Sequence, residues 1–119
     1  MREERDGGHR HLRLQELVLE ELQSLLRDDI TDPALVDVEI GAVVLSPDYR
    51  HARVHFSLRT PLALGHAAGN PATEAALRGS AERALTRATP FLRARLAEAI
   101  DMKRVPELRF VFDGVASSG

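Results

Sequence analysis

Residues 52–59 read ARVHFSLR, a stretch in which every second side chain is apolar. The apolar set is Ala52, Val54, Phe56 and Leu58, and charged or polar residues fill the positions between them. A period of two is typical of a β-strand that buries one face and exposes the other. The stretch therefore predicts the clearest strand of the chain, and the neighbouring elements can be placed from it.

A second strand is predicted upstream, at residues 36–45. Apolar and acidic residues alternate over its first half, and its second half is almost entirely apolar. Pro47 presets the backbone of a turn and Asp48 can bond back to the chain, so the two strands should form an antiparallel hairpin. On the polar face we expect opposite charges to meet across the hairpin, with Asp37 and Glu39 facing Arg53, His55 and Arg59.

The first helix is predicted from leucine and valine residues that recur at helical spacing, beginning near residue 11. Pro33 cannot lie inside a helix and disfavours the helical conformation at Asp32, so the helix should end near residues 29–30. Residues 1–10 combine charges with two glycines and are expected to form a flexible N-terminus.

A second helix is predicted to start at Asn70-Pro71, because Asn caps free N–H groups and Pro suits the first helical position. Pro90 lacks an N–H and clashes with the carbonyl four residues earlier, so we expect a break at Thr89-Pro90 and a third helix beginning there. The expected buried faces are Ala76, Leu77, Ala84, Leu85 and Ala88 before the break, and Phe91, Leu92, Leu96, Ala99 and Ile100 after it.

A third strand is predicted from Leu108, Phe110 and Phe112, which alternate with other residues after the helices. A strand, a helical crossover and a returning strand normally give a right-handed parallel pair. The predicted fold class is α+β, in the order α-β-β-α-(kink)-α-β, with a three-stranded mixed sheet and the helices on one face. The domain is expected to span residues 11–113, followed by a flexible tail at residues 114–119.

The composition fits one domain: the chain has 119 residues, a formal net charge of -2 and no Cys. The absence of Cys excludes disulfides, thiolate zinc sites and a Cys nucleophile. We find no signal-peptide or membrane-span pattern and expect a cytoplasmic location.

Residues 1–74 carry eight Arg against thirteen Asp and Glu, whereas residues 75–119 carry eight Arg and Lys against five Asp and Glu. This asymmetry indicates a polyanion partner for the C-terminal part.

The basic residues of that part cluster around the expected helix start at Pro90. The six are Arg83, Arg87, Arg93, Arg95, Lys103 and Arg104. The exposed N–H groups and dipole of a helix start favour phosphate binding. On spacing alone, however, the same residues fit the solvated side of two packed helices better, since no aromatic platform for base stacking accompanies them.

Catalytic and metal sites find little support in the sequence. His51 and His55 are four residues apart on a strand, about 13 Å at strand rise, which is too far to chelate one ion. Ser46, Asp48 and His51 form ordinary turn chemistry without an oxyanion loop. No phosphate-binding loop or Gly-rich dinucleotide turn occurs. We therefore expect no enzymatic activity, no cofactor and no metal.

Several short motifs carry a family resemblance. In chain order they are Ile30-Thr31-Asp32-Pro33, Ser46 with Asp48, Phe91-Leu92-Arg93, and Val105-Pro106-Glu107-Leu108 with Phe110 and Asp113. Together they resemble the bacterial ribosome-binding factor A family over most of the chain, from about Arg13 to Asp113. The resemblance implies a type II KH-like topology. It also implies binding to the small ribosomal subunit near the 5′-terminal helix of its rRNA, late in assembly or during cold adaptation, without catalysis.

The resemblance also implies where RNA binds. The family has an Ala-x-Gly kink between its last two helices, and the matching residues are Ala88-Thr89-Pro90, so Pro replaces Gly. Pro lacks the backbone N–H that Gly would offer to a phosphate. The main phosphate contacts are therefore expected from the side chains of Arg87 and Arg93. The implied RNA-binding residues are Arg83, Arg87, Ala88, Thr89, Arg93, Arg95, Lys103 and Arg104. The loop at residues 60–70 is longer and more apolar than the resemblance implies.

The sequence thus predicts a monomeric, non-catalytic assembly factor that binds the small ribosomal subunit and its rRNA, with no membrane partner. The alternative is a protein–protein interaction module that uses its sheet edge or its acidic first helix without contacting RNA. A third possibility, a His-based metal enzyme, requires a tightly bound metal. Salt dependence separates the first two, because binding to an RNA backbone weakens steeply with salt and an apolar protein interface does not.

Overall fold

The computed structural model describes residues 2–60 and 71–117. Its elements are α1 (Arg2–Asp28), a short 3₁₀ helix (Pro33–Leu35), β1 (Val38–Leu45), β2 (His51–Thr60), α2 (Pro71–Ala99) and β3 (Glu107–Ser117). Apart from Thr60, the predicted loop at residues 60–70 lies outside the described residues.

The sheet has the order β1-β2-β3, antiparallel between the first two strands and parallel between the last two. This confirms the predicted α+β class with a three-stranded mixed sheet. The apolar positions of β2 face the core, and their exposed fractions do not exceed 5%. The pairing of β1 shifts register at Gly41, between Ile40 and Ala42. The strand pattern at residues 52–59 therefore identified the centre of the sheet.

The charge pairing predicted across the hairpin is present only in part. Glu39 and Arg59 form an ion pair on the polar face of the sheet. Asp37 precedes β1, and its backbone carbonyl accepts the Arg59 N–H at 2.7 Å. His55 instead lies 3.1 Å from Asp113, on the parallel neighbour β3. A parallel third strand thus supplies partners that a two-stranded hairpin does not contain.

α1 lies across β1 and bonds to its backbone through side chains. Gln23 donates to the carbonyl of Ile40 at 2.8 Å, and Gln15 accepts the N–H of Leu45 at 3.0 Å. β1 is an edge strand, so its outward backbone N–H and C=O groups have no neighbouring strand to bond, and the two glutamines satisfy one group of each kind. Val18, Leu22 and Leu25 on the inner side of α1 are at most 2% exposed.

α2 is one helix where the sequence predicts two. It runs through Pro90 without interruption. The Thr89 hydroxyl donates to the carbonyl of Leu85 at 2.8 Å, so Thr89 does not cap a new helix. Pro90 removes one helical hydrogen bond. Apolar side chains are buried on both sides of Pro90, including those of Leu85 and Leu92. The free energy gained by burying them exceeds the free energy lost with one hydrogen bond, so the two halves stay in one helix.

The continuous helix also changes which residues are buried. Ala76, Leu77, Phe91 and Ala99 were expected in the core and are exposed. The buried stripe instead comprises Ala81, Ala84, Leu85, Leu92, Leu96 and Ile100. Ala81, Leu85, Leu92, Leu96 and Ile100 follow one another at intervals of four or seven residues, as a stripe along one side of a continuous helix requires.

The ends of the ordered elements extend beyond the predicted domain limits of residues 11–113. α1 begins at Arg2, because extending an existing helix adds one hydrogen bond for each residue fixed. β3 continues to Ser117, since the long strand β2 offers partners as far as Thr60. The flexibility of residues 1–10 and 114–119 stays a prediction.

Candidate nucleic-acid interface

Four residues of α2 follow one another at intervals of four: Arg83, Arg87, Phe91 and Arg95. We call them the α2 row. Residues four apart are neighbours on one side of a helix, so the set forms a stripe. All four are exposed. The sequence predicted the three arginines as site residues but placed Phe91 in the core.

Two arginines of the α2 row are held by the acidic segment that follows α1. A nitrogen of the Arg87 guanidinium lies 3.2 Å from Asp32 Oδ2, and one of Arg95 lies 3.3 Å from Asp29 Oδ2. Arg95 also lies 3.8 Å from Glu98, one turn along its own helix. No pattern in the sequence indicates the pairs with Asp29 and Asp32, because they join residues that are far apart along the chain.

Asp32 is fixed from two sides. Its Oδ1 accepts the Ala34 N–H at 3.0 Å, which caps the 3₁₀ helix at Pro33–Leu35. This backbone hydrogen bond, and to a lesser extent the guanidinium of Arg87, holds the pKa of the Asp32 carboxyl below its ordinary value, against the opposing effect of burial. Arg87 therefore faces a carboxylate that stays ionised and oriented.

Arg93 has a different environment. Its Nε donates to the carbonyl of Pro106 at 3.2 Å and its Nη2 donates to the carbonyl of Val105 at 2.9 Å. These carbonyls belong to the segment that leads into β3 at Glu107. The structure thus uses Arg93 to connect α2 to the start of β3.

Three predicted cations have no ion pair or side-chain hydrogen bond within the described part of the chain: Arg83, Lys103 and Arg104. All three are exposed. The guanidinium of Arg83 lies over Gly79, 3.2 Å from the position that a Cβ would take there. Their charges are free to attract a polyanion.

The remaining two predicted residues lie within the helix. Ala88 is half-buried, and Thr89 uses its hydroxyl on the helix backbone. Ala88, Arg87 and Phe91 line an open cleft of about 310 Å³ between α2 and the segment from Asp29 to Leu35. The structure thus brings Arg87, Ala88 and Arg95 together around Phe91, and it directs Arg93 and the Thr89 hydroxyl elsewhere.

The other side chains considered for chemistry serve the fold. The Ser46 hydroxyl donates to Asp48 at 2.6 Å and accepts the His51 N–H at 3.0 Å, which closes the turn between β1 and β2. Within the residues that the structure describes, no group of three or more His, Asp or Glu side chains is placed to hold a metal ion. No helix in those ranges is long and apolar enough to cross a membrane.

Comparison with known proteins agrees in sequence and in structure. Residues 10–119 match the family model for ribosome-binding factor A. Ribosome-binding factor A of Heliobacterium modesticaldum is 39% identical over 107 residues, covering 90% of this chain and 78% of that protein. The protein of the same name from Dechloromonas aromatica is 34% identical over 113 residues, covering 95% and 80%.

Two structures of the Thermus thermophilus factor share the fold. The crystal structure has 28% identity and a TM-score of 0.58, and the match covers 88% of this chain and 92% of that one. A homology model of the same factor, fitted into a cryo-electron microscopy map of a complex with the 30S subunit, has 27% identity and a TM-score of 0.52, covering 87% and 90%. By sequence and by fold, the chain belongs to the ribosome-binding factor A family.

Proposed function

We propose that this protein is a non-catalytic assembly factor that binds the small ribosomal subunit and contacts its rRNA during late maturation of the 5′-terminal region. The main support for the proposal is the likeness to the Thermus thermophilus factor, which shares the fold. A homology model of that factor was fitted into a cryo-electron microscopy map of its complex with the 30S subunit. The proposal includes action in the cytoplasm and as a monomer, as predicted from the sequence, and the family resemblance adds a role in cold adaptation.

The RNA contact is assigned to the α2 row together with Lys103 and Arg104. The free cations attract the phosphate backbone, and each phosphate contact contributes about one unit to the slope of log K against log salt concentration. The carboxylates that hold Arg87 and Arg95 lie at the surface, so water can solvate them when phosphate oxygens replace them. This surface reads shape and phosphate rather than base edges.

Charge reversal of the free cations tests the proposal. In the variant R83E/K103E/R104E we expect co-sedimentation with purified small subunits to weaken by about tenfold or more, and the salt slope to fall by up to about three. None of the three side chains makes an ion pair or hydrogen bond in the described structure, so thermal unfolding should stay close to that of the wild type.

The matched control reverses three exposed arginines that also lack such partners in the described structure, R13E/R53E/R109E, on α1 and on the opposite side of the sheet. It makes the same change in net charge and should bind nearly as well as the wild type. Equal loss in both variants contradicts the assigned surface. Wild-type binding that is nearly independent of salt favours the alternative, a protein–protein module that does not contact RNA.

A further inference from the structure

Phe91 is an aromatic side chain on the surface of α2. It is 41% exposed, whereas Phe56 is fully buried and Phe110 and Phe112 are half-buried. Burying a phenylalanine stabilises a fold by about 1.5–3 kcal/mol, so a ring left half in water contributes only part of that. The buried stripe of α2 passes beside this position, through Leu92 and Leu96, and leaves Phe91 at its exposed margin. The fold therefore gives little reason for an aromatic residue at this position.

The surroundings of the ring are cationic along the helix, and toward the cleft they combine apolar residues with two carboxylates. Arg87 precedes Phe91 by one turn and Arg95 follows it by one turn, with its guanidinium carbon 6.0 Å from the ring centroid. Asp32 and Asp29 hold these two guanidinium groups in place. The cleft beside the ring, of about 310 Å³, is lined by the apolar residues Ile30, Leu35, Ala84 and Ala88 and by the polar residues Asp29, Thr31 and Asp32.

We propose that Phe91 is a stacking platform for an unpaired nucleobase of single-stranded RNA, with Arg87 and Arg95 contacting the phosphates on either side of that base. This inference rests on the proposed function and adds a base contact to it. Aromatic rings stack on the π-face of every base, and neighbouring arginines add cation–π attraction and phosphate binding. The pairs with Asp29 and Asp32 keep the two guanidinium groups near the ring, and phosphate oxygens replace these carboxylates when RNA binds.

The charges favour RNA over an apolar peptide. A protein partner that inserted an apolar side chain into the cleft would gain from Ile30 and Leu35 but would leave the two arginines at its rim in their surface pairs with Asp32 and Asp29, where they add nothing to its binding. An RNA strand satisfies both features, because its base covers the ring and its phosphates meet the guanidinium groups. We therefore treat a protein side chain in the cleft as an outcome that the experiment detects.

The test is a series of substitutions at Phe91 in the full chain. Loss of one stacked base weakens binding by about 5- to 150-fold, and we expect F91A and F91L to lose this much in co-sedimentation with small subunits. F91Y and F91W keep a π-face and should bind like the wild type. L77A removes another exposed large side chain of α2, 39% exposed, and is the matched control that should leave binding unchanged.

A second readout reports stacking without the ribosome. A short single-stranded oligoadenylate with one fluorescent adenine analogue should be quenched at saturating wild-type protein at low salt, and not by F91L. Absence of quenching by the wild type overturns the proposal, as does F91L that binds subunits as well as the wild type, since that result identifies an apolar protein contact. The wild type could quench the oligonucleotide and yet fail to co-sediment with small subunits. That result would support the stacking site and contradict the proposed function.

Discussion

Arg93 and the pair Arg87 and Arg95 are residues of one type on one helix, and they use different acceptors. Arg93 donates to two backbone carbonyls, at 3.2 and 2.9 Å, in the segment before β3. Arg87 and Arg95 donate to the carboxylates of Asp32 and Asp29, at 3.2 and 3.3 Å. The sequence places all three in one basic cluster, and the family resemblance gives most weight to Arg87 and Arg93.

The acceptor decides whether an arginine can be released to a ligand. If Arg93 turned toward a phosphate, two carbonyls of the chain would lose their donors, one of them in a partly buried hydrogen bond. If Arg87 or Arg95 did so, the carboxylate left behind would be hydrated, because its surroundings are open to water. We infer that Arg93 maintains the fold, whereas Arg87 and Arg95 are available for RNA.

The largest expected effect comes from removing Arg93. R93A leaves the carbonyls of Val105 and Pro106 without their charged donor, and we expect the free energy of unfolding to fall by about 1–3 kcal/mol. Urea denaturation measures this loss. R95A is the matched control, and its surface ion pairs should contribute at most about 1 kcal/mol. Equal losses in the two variants would remove the distinction between the arginines.

Sequence reasoning succeeded where a feature depends on nearby residues. The strand at residues 52–59, the turn at Pro47 and Asp48 and the parallel third strand followed from a local period, local turn chemistry and the handedness of crossovers. Pro90 shows the limit of local rules. Its effect on the helix depends on how much apolar surface is buried on either side of it, which only the assembled core determines.

The candidate site was predictable in part for the same reason. The basic residues of α2 were visible in the sequence, and spacing alone would have placed Phe91 between Arg87 and Arg95 had the helix been taken as continuous. The pairs with Asp29 and Asp32 join residues separated by 66 and 55 positions, and no local pattern indicates them. Without those pairs, the roles of Arg87 and Arg93 could not be separated.

A smaller effect is expected at Gly79, beneath Arg83. Arg83 represents the third kind of arginine, since its guanidinium has no acceptor in the described structure and lies over Gly79. G79A should raise the free energy of unfolding by about 0.5–1 kcal/mol, because Ala favours the helix interior and the end of the Arg83 side chain can move aside. Denaturant unfolding checks the gain, and binding to small subunits should be unchanged. A loss of stability would mean that Arg83 is fixed by the fold.

The smallest effect on stability concerns Asp32, the acceptor of Arg87. The Ala34 N–H and the Arg87 guanidinium lower the pKa of this carboxyl from its ordinary value of 3.8. A depressed pKa in the folded state stabilises the fold above pH 3.8, and this contribution disappears as the pH falls from there through the folded pKa. The unfolding temperature of the wild type should therefore fall as the pH is lowered through this range, and the unfolding temperature of D32N should fall less.

D32N also sharpens the comparison between Arg87 and Arg93 at neutral pH. The Asn oxygen can still accept the Ala34 N–H, so the 3₁₀ helix keeps its cap, while the charge that holds Arg87 is gone. If phosphate and Asp32 compete for Arg87, D32N should bind small subunits more tightly than the wild type despite its slightly lower stability.

D48N is the control, since the pKa of Asp48 is also lowered, first by the Ser46 hydroxyl and then by the Arg50 N–H, in the turn away from α2. Like D32N, it should remove part of the acid-range decline in stability, but it should not tighten binding; tighter binding by both variants would show that net charge, rather than release of Arg87, is responsible.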